Sequence, residues 1–78
     1  MTLASLQYGQ KGNIRSIYTR DPVVQRLMVL GLVEGAELEY LSSAIGGDPL
    51  EFRLFDNAIS LRKEQAQHFT ISLLSDGG

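Results

Sequence analysis

The chain has no cysteine. Disulfides, thiolate zinc sites, iron–sulfur clusters and cysteine nucleophiles are removed in one step. Small secreted domains usually rely on disulfide staples, so their absence favours a reducing, cytoplasmic setting. Tryptophan is also missing, and histidine occurs once, as His68. A metal centre wants several converging ligands, and a serine triad would have to recruit that one histidine. The sequence therefore predicts no catalytic residue, no metal site and no cofactor. Basic residues are scarce: seven Lys and Arg against nine Asp and Glu leave a net charge of −2. That gives little with which to neutralise a phosphate backbone, so nucleic acid is not an expected partner. The longest apolar run, residues 27–33, is far shorter than the ~20 residues that span a bilayer. No basic segment followed by an apolar run marks a signal peptide. The expectation is a soluble protein without membrane insertion.

What is present fits one small domain. A chain of 78 residues hides only about 60–65% of the surface its unfolded form exposes. A core of that size supplies few walls for a water-excluding cleft, which favours binding over catalysis. The expected domain covers residues 1–75, with 76–78 as a flexible tail. Charge is unevenly divided. Residues 1–30 carry Lys11, Arg15, Arg20 and Arg26 against Asp21 alone, a balance of +3. Residues 31–78 carry Arg53, Arg62 and Lys63 against eight carboxylates, a balance of −5.

Residues 21–35 carry the one set of helix signals with a start, a periodic face and a stop. Asp21 is placed to cap the first turn, and Pro22 falls at the first helical position, where its missing N–H costs nothing. Gly31 can close the helix in a left-handed conformation, and Gly35 marks a further bend. At roughly 100° per residue, Val23, Leu27 and Leu30 cluster as the buried stripe, with Val24 at its edge. Gln25 and Val29 then point away, with Met28 and Arg26 on the shoulders. An exposed apolar pair at Met28 and Val29 is either covered by a loop or open to a partner.

The remainder reads as strands and turns. Residues 13–19, rich in β-branched and aromatic types, form the first strand. Residues 37–41 alternate, with Leu38 and Tyr40 inward and Glu37 and Glu39 toward water; that alternation accounts for the glutamates without a cation site. Gly46-Gly47-Asp48-Pro49 is a loop, with Asp48 as its turn residue. Residues 50–55 and 58–62 alternate around Asp56-Asn57, a two-residue hairpin turn. In that register Leu54 faces Ile59, Phe52 faces Leu61 and Glu51 faces Arg62. Phe55 lies on the face opposite Phe52, exposed or under the helix. Residues 63–67 offer one helical turn, and Phe69, Ile71 and Leu73 point inward from a last strand. Short strands joined by tight turns imply a small mainly-β barrel that hides its edges by closing.

These residues also carry a family resemblance. Gly9-Gln10-Lys11-Gly12-Asn13-Ile14, then Arg26-Leu27, Leu30-Gly31-Leu32 and Glu34-Gly35, resemble the FeoA (ferrous iron transport protein A) family. Gly47-Asp48-Pro49, Ala58-Ile59-Ser60-Leu61-Arg62 and Glu64-Gln65-Ala66 continue the likeness to about Leu73. Glu34 and Ile45-Gly46 stand where the family often has proline, both in loops. The resemblance implies an SH3-like β-barrel with one short α-helix inserted after the first strand. It implies a non-enzymatic cytoplasmic accessory protein of bacterial ferrous iron uptake, of a family associated with transition metals. The implied partner is the FeoB-type membrane permease, which bears a cytoplasmic G domain. Self-association stays open at this point.

The expected docking surface is the outer helix face, Gln25, Arg26, Met28 and Val29, with Arg15 beside it. The alternative is a small-barrel regulatory or nucleic-acid-binding domain, like the C-terminal domain of metal-dependent repressors. No helix-turn-helix precedes the barrel in this sequence, so that role would lack its reader. A proline-binding groove would need aromatic paving, and Phe52 and Phe69 are claimed by the core.

Overall fold

The computed structural model describes residues 1–18 and 20–74; the expected tail at 76–78 and the strand residue Thr19 lie outside them. Five strands form one antiparallel sheet: β1 (Lys11–Ile17), β2 (Glu37–Ser43), β3 (Leu50–Leu54), β4 (Asn57–Leu61) and β5 (Phe69–Leu73). Their order across the sheet is β4-β3-β2-β1-β5. Helix α1 (Pro22–Val29) follows β1, and one turn of helix, α2 (Lys63–Ala66), precedes β5. This is the expected mainly-β architecture with its helix after the first strand. The N-terminal segment forms a 3-10 turn over Leu3–Ser5, and Leu3 and Leu6 are buried in the core.

Alternation decides which side of the sheet is dry. Ile14, Leu38, Leu50, Phe52, Leu54, Leu61, Phe69 and Ile71 turn to one face and are buried, joined by Val24, Leu32 and Ala66. Among the described residues no polar or charged residue is buried with them, so no polar side chain there has to be satisfied in the core. Gly12 lies inside β1, not in the bend before it, and β1 starts two residues earlier than periodicity suggests. Lys11 and Gly12 pair with Glu39 and Leu38 of β2, and glycine suits the close approach there, since a Cβ on Gly12 would stand 2.6 Å from Cδ1 of Ile71. Leu73, expected inward, is 45% exposed at the last position of β5.

The hairpin register differs from the sequence expectation by two residues. Phe52 pairs with Ile59, Leu50 with Leu61 and Leu54 with Asn57, around a turn at Phe55 and Asp56. A shift of two preserves which face each side chain takes, since the side-chain period is two. The apolar inner face survives, but Glu51 now faces Ser60 and the expected Glu51–Arg62 pair is absent. Arg53 instead faces Glu39 on β2, with Nη1 and Oε1 4.0 Å apart.

Helix α1 begins and ends as its sequence dictates. Asp21 Oδ1 accepts the Val23 N–H at 2.8 Å, with Pro22 at the first helical position. At the other end Gly31 has φ +118°; its N–H donates to Met28 O at 3.0 Å and that of Leu32 donates to Leu27 O at 3.1 Å. These two bonds are a Schellman closure. The buried stripe, however, is rotated from expectation. Val24 is fully buried and Leu27 and Met28 are half-buried, whereas Val23 is 41% and Leu30 66% exposed. Helix geometry stops at Val29, so Leu30 lies in the cap. The turn at Gly31 then sends Leu32, not Leu30, into the core. With apolar residues nearly all round α1, the wheel alone does not fix its orientation; Leu32 and the sheet do.

Candidate functional site

The residues expected to form a docking surface are partly brought together. Gln25, Arg26 and Val29 are exposed on α1, Val29 to 86%. Met28 is half-buried, so it is a shoulder of that face and not its centre. Arg15 is exposed on β1, and among the described residues neither Arg15 nor Arg26 forms an ion pair. Two residues that periodicity assigns to the interior, Val23 and Leu30, join the exposed face instead. The outer side of α1 thus carries Val23, Val29 and Leu30 around Arg26.

The apolar surface continues past the helix. A Cβ on Gly31 would stand 3.5 Å from Cε2 of Phe55, so the Phe55 ring lies over the end of α1 and is 73% exposed. Beyond it opens a groove of about 690 Å³. Its loop wall is formed by Val33, Glu34, Gly35 and Ala36, and its sheet wall by Lys11, Glu37, Glu39 and Arg53. The loop wall is held in place from below. Asn13 Nδ2 donates to Gly35 O at 2.9 Å, the Gly35 N–H donates to Ile14 O at 2.7 Å, and the Ile14 N–H donates to Ala36 O at 2.8 Å. On the sheet wall Lys11, Glu39 and Arg53 stand side by side across β1, β2 and β3. Periodicity does not single out this groove; the one signal in the sequence is Phe55, an aromatic at an outward-facing hairpin position.

The other candidate residues have structural occupations. His68 Nδ1 lies 2.6 Å from Tyr18 O and therefore carries the proton it donates. The Tyr18 N–H donates in turn to His68 O at 2.8 Å, clasping the end of β1 to the start of β5. Asp48 Oδ1 accepts the Lys63 N–H at 3.0 Å, which caps α2 from the β2–β3 loop. Among the described residues, no three His, Asp or Glu side chains gather so as to hold a metal ion. Within the same residues no helix is long and apolar enough to cross a membrane.

A family model for the FeoA domain matches residues 1–72. A curated relative, the Fe(2+) transport protein A/Fe(2+) transporter FeoB fusion protein of Porphyromonas gingivalis, is 29% identical over 75 residues. Those residues are 96% of this chain but 9% of that protein, so the chain spans less than a tenth of its length. Among solved structures, the FeoA protein of Chlorobium tepidum is 33% identical, with a TM-score of 0.89 over 100% of this chain and 74% of its own. The FeoA of Stenotrophomonas maltophilia, solved in complex with zinc and described as a procaryotic SH3 domain protein, is 26% identical. Its TM-score is 0.82, over 92% of this chain and 89% of its own. A manganese-dependent transcriptional repressor at 18% identity and a TM-score of 0.82 covers 95% of this chain and 36% of its own; it shares the fold alone. The sheet order, the helix after β1 and the match along nearly the whole chain agree: this SH3-like domain belongs to the FeoA family.

Proposed function

We propose that this chain is a non-enzymatic accessory module of ferrous iron uptake that acts in the cytoplasm by docking on a FeoB-type permease. The observation that carries this reading is the fusion relative, in which the counterpart of nearly this whole chain shares one polypeptide with a FeoB transporter. Covalent linkage holds one module at high effective concentration beside the other, which is useful when the separate modules bind each other. The chain's own surface supports it. Val23, Val29 and Leu30 put three aliphatic side chains in water on one short helix, with Arg26 among them to steer an acidic partner.

The docking face in this reading comprises Gln25, Arg26 and Val29, flanked by Arg15 and the half-buried Met28, and takes in the exposed Val23 and Leu30. Arg26→Glu combined with Val29→Asp changes only exposed side chains, so the fold should survive. Calorimetric titration against the permease's cytoplasmic G domain should lose its heat of binding while the circular dichroism spectrum stays native. Unchanged affinity would remove this face from the interaction. Likeness to the repressor reaches no further than the fold, and a net charge of −2 gives the nucleic-acid alternative no support.

A further inference from the structure

The groove beside Phe55 calls for its own explanation. Phe55 has φ +56°, the one non-glycine residue among those described with positive φ. It occupies the first position of the β3–β4 turn, where hairpins with one positive φ favour glycine. A bulky side chain there is strained. Strain of that kind is usually offset by packing, yet this ring is 73% exposed. It sits at the mouth of a groove whose opposite wall is fixed by three hydrogen bonds, to Gly35 O, Ile14 O and Ala36 O. A strained, exposed aromatic facing a pre-formed wall serves recognition better than it serves folding.

Charge says what the groove would take. Arg53 is occupied by Glu39, while Glu34 and Glu37, among the described residues, have no ion-pair partner. Lys11 stands at the same wall, so carboxylates outnumber cations by three to two. Apolar contacts come from Val33, 44% exposed, and Phe55. We propose that the groove binds an extended segment of a partner protein that presents a large aliphatic side chain beside a lysine or arginine. The aliphatic group lies between Phe55 and Val33, and the cation reaches Glu34 and Glu37. An acidic segment would meet two unpaired carboxylates and is disfavoured.

The test needs no permease, so its outcome is independent of the docking reading above. The isotopically labelled full chain is titrated with two blocked tetrapeptides, acetyl-Arg-Leu-Arg-Leu-amide and acetyl-Glu-Leu-Glu-Leu-amide, and amide chemical shifts are followed. The basic peptide should shift Gly31, Val33, Gly35 and Phe55 saturably at millimolar concentration. The acidic peptide should bind roughly tenfold more weakly, the ratio that two solvent-exposed charge contacts support. Glu34→Gln with Glu37→Gln should bring the two affinities together. Phe55→Gly removes the aromatic wall and relieves the backbone, so binding should vanish from a protein that melts no lower than the parent. Shifts scattered elsewhere, equal binding of both peptides, or full affinity in Phe55→Gly would each overturn the proposal. Val29→Asp, on the helix face, should leave peptide binding unchanged; loss of peptide binding in that variant would also count against a separate groove.

Discussion

Strand β3 and helix α1 are both short and both rich in apolar side chains, and they use them in opposite ways. In β3, Leu50, Phe52 and Leu54 are each 5% exposed or less. In α1, Val24 alone is fully buried, while Val29 is 86% exposed and Val23 41%. Burial stabilises in rough proportion to the apolar area removed from water, about 25 cal/mol per Å². The sheet therefore holds the domain together, and the helix is attached by one valine, two half-buried side chains and its closing turn. The excess apolar surface of α1 has no folding role, which is why it is read as a contact face.

Phe52→Ala is the largest test of that division. Phe52 is fully buried, against Tyr40 with ring centroids 5.6 Å apart, and truncating such a residue costs about 3–5 kcal/mol. Small domains have only about 5–15 kcal/mol in total, so urea unfolding of this variant should show a much lower midpoint. A loss below about 1 kcal/mol would mean that the sheet core is not the main source of stability.

Gly31→Ala comes next, and it tests the joint between the two regions. At φ +118° a side chain is strained, and the new Cβ would stand 3.3 Å from Leu54 Cδ2. Backbone strain of this kind costs about 1–3 kcal/mol. Because the Schellman turn both ends α1 and aims Leu32 inward, hydrogen exchange should rise at Leu30, Gly31 and Leu32 before it rises in β3. Uniform loss of protection would show that helix and sheet unfold as one unit.

Much of the sheet can be read from residue order, and the orientation of the helix cannot. Alternation names the inward residues of β2 and β3 correctly because a strand offers only two faces. The same two-fold periodicity explains why the hairpin could shift by two and still bury Phe52 and Leu61. A turn residue decided that shift: Phe55 accepts positive φ, so the loop closes at Phe55-Asp56 and not at Asp56-Asn57. In α1 the termini were legible, since Asp21-Pro22 and Gly31 act through local hydrogen bonds. Its rotation depends on Leu32 and on what the sheet leaves uncovered, which are tertiary facts. The exposure of Gln25, Arg26 and Val29 followed from the wheel despite its rotation, whereas that of Val23 and Leu30 was hidden by it. The groove was illegible because its walls come from β1, β2, β3 and a loop that meet only in three dimensions.

Val29→Ser and Leu30→Ser probe the exposed side directly. Both side chains face water, so each substitution should change stability by less than about 0.5 kcal/mol. Affinity for the permease's G domain should fall with either. A melting temperature well below the parent for Leu30→Ser would return Leu30 to the core and shrink the docking face to Val29 and its neighbours.

A change at Phe55 is the most informative of all, because two opposing terms partly cancel. Phe55→Gly removes a positive-φ strain of roughly 1–2 kcal/mol. It also gives the unfolded chain more freedom, which lowers stability by about 0.4–1 kcal/mol. Little packing is lost, since the ring is mostly in water. The net change should lie between zero and a stabilisation of roughly 1 kcal/mol, measured as a urea midpoint with unchanged slope. Phe55→Ala, which keeps a Cβ at φ +56°, should not gain stability and so isolates the backbone term. If Phe55→Gly instead destabilises the domain as a core substitution does, the ring is a structural lid over Gly31 and Leu54, and the contrast between a folded sheet and a recognition surface must be redrawn to place Phe55 with the sheet.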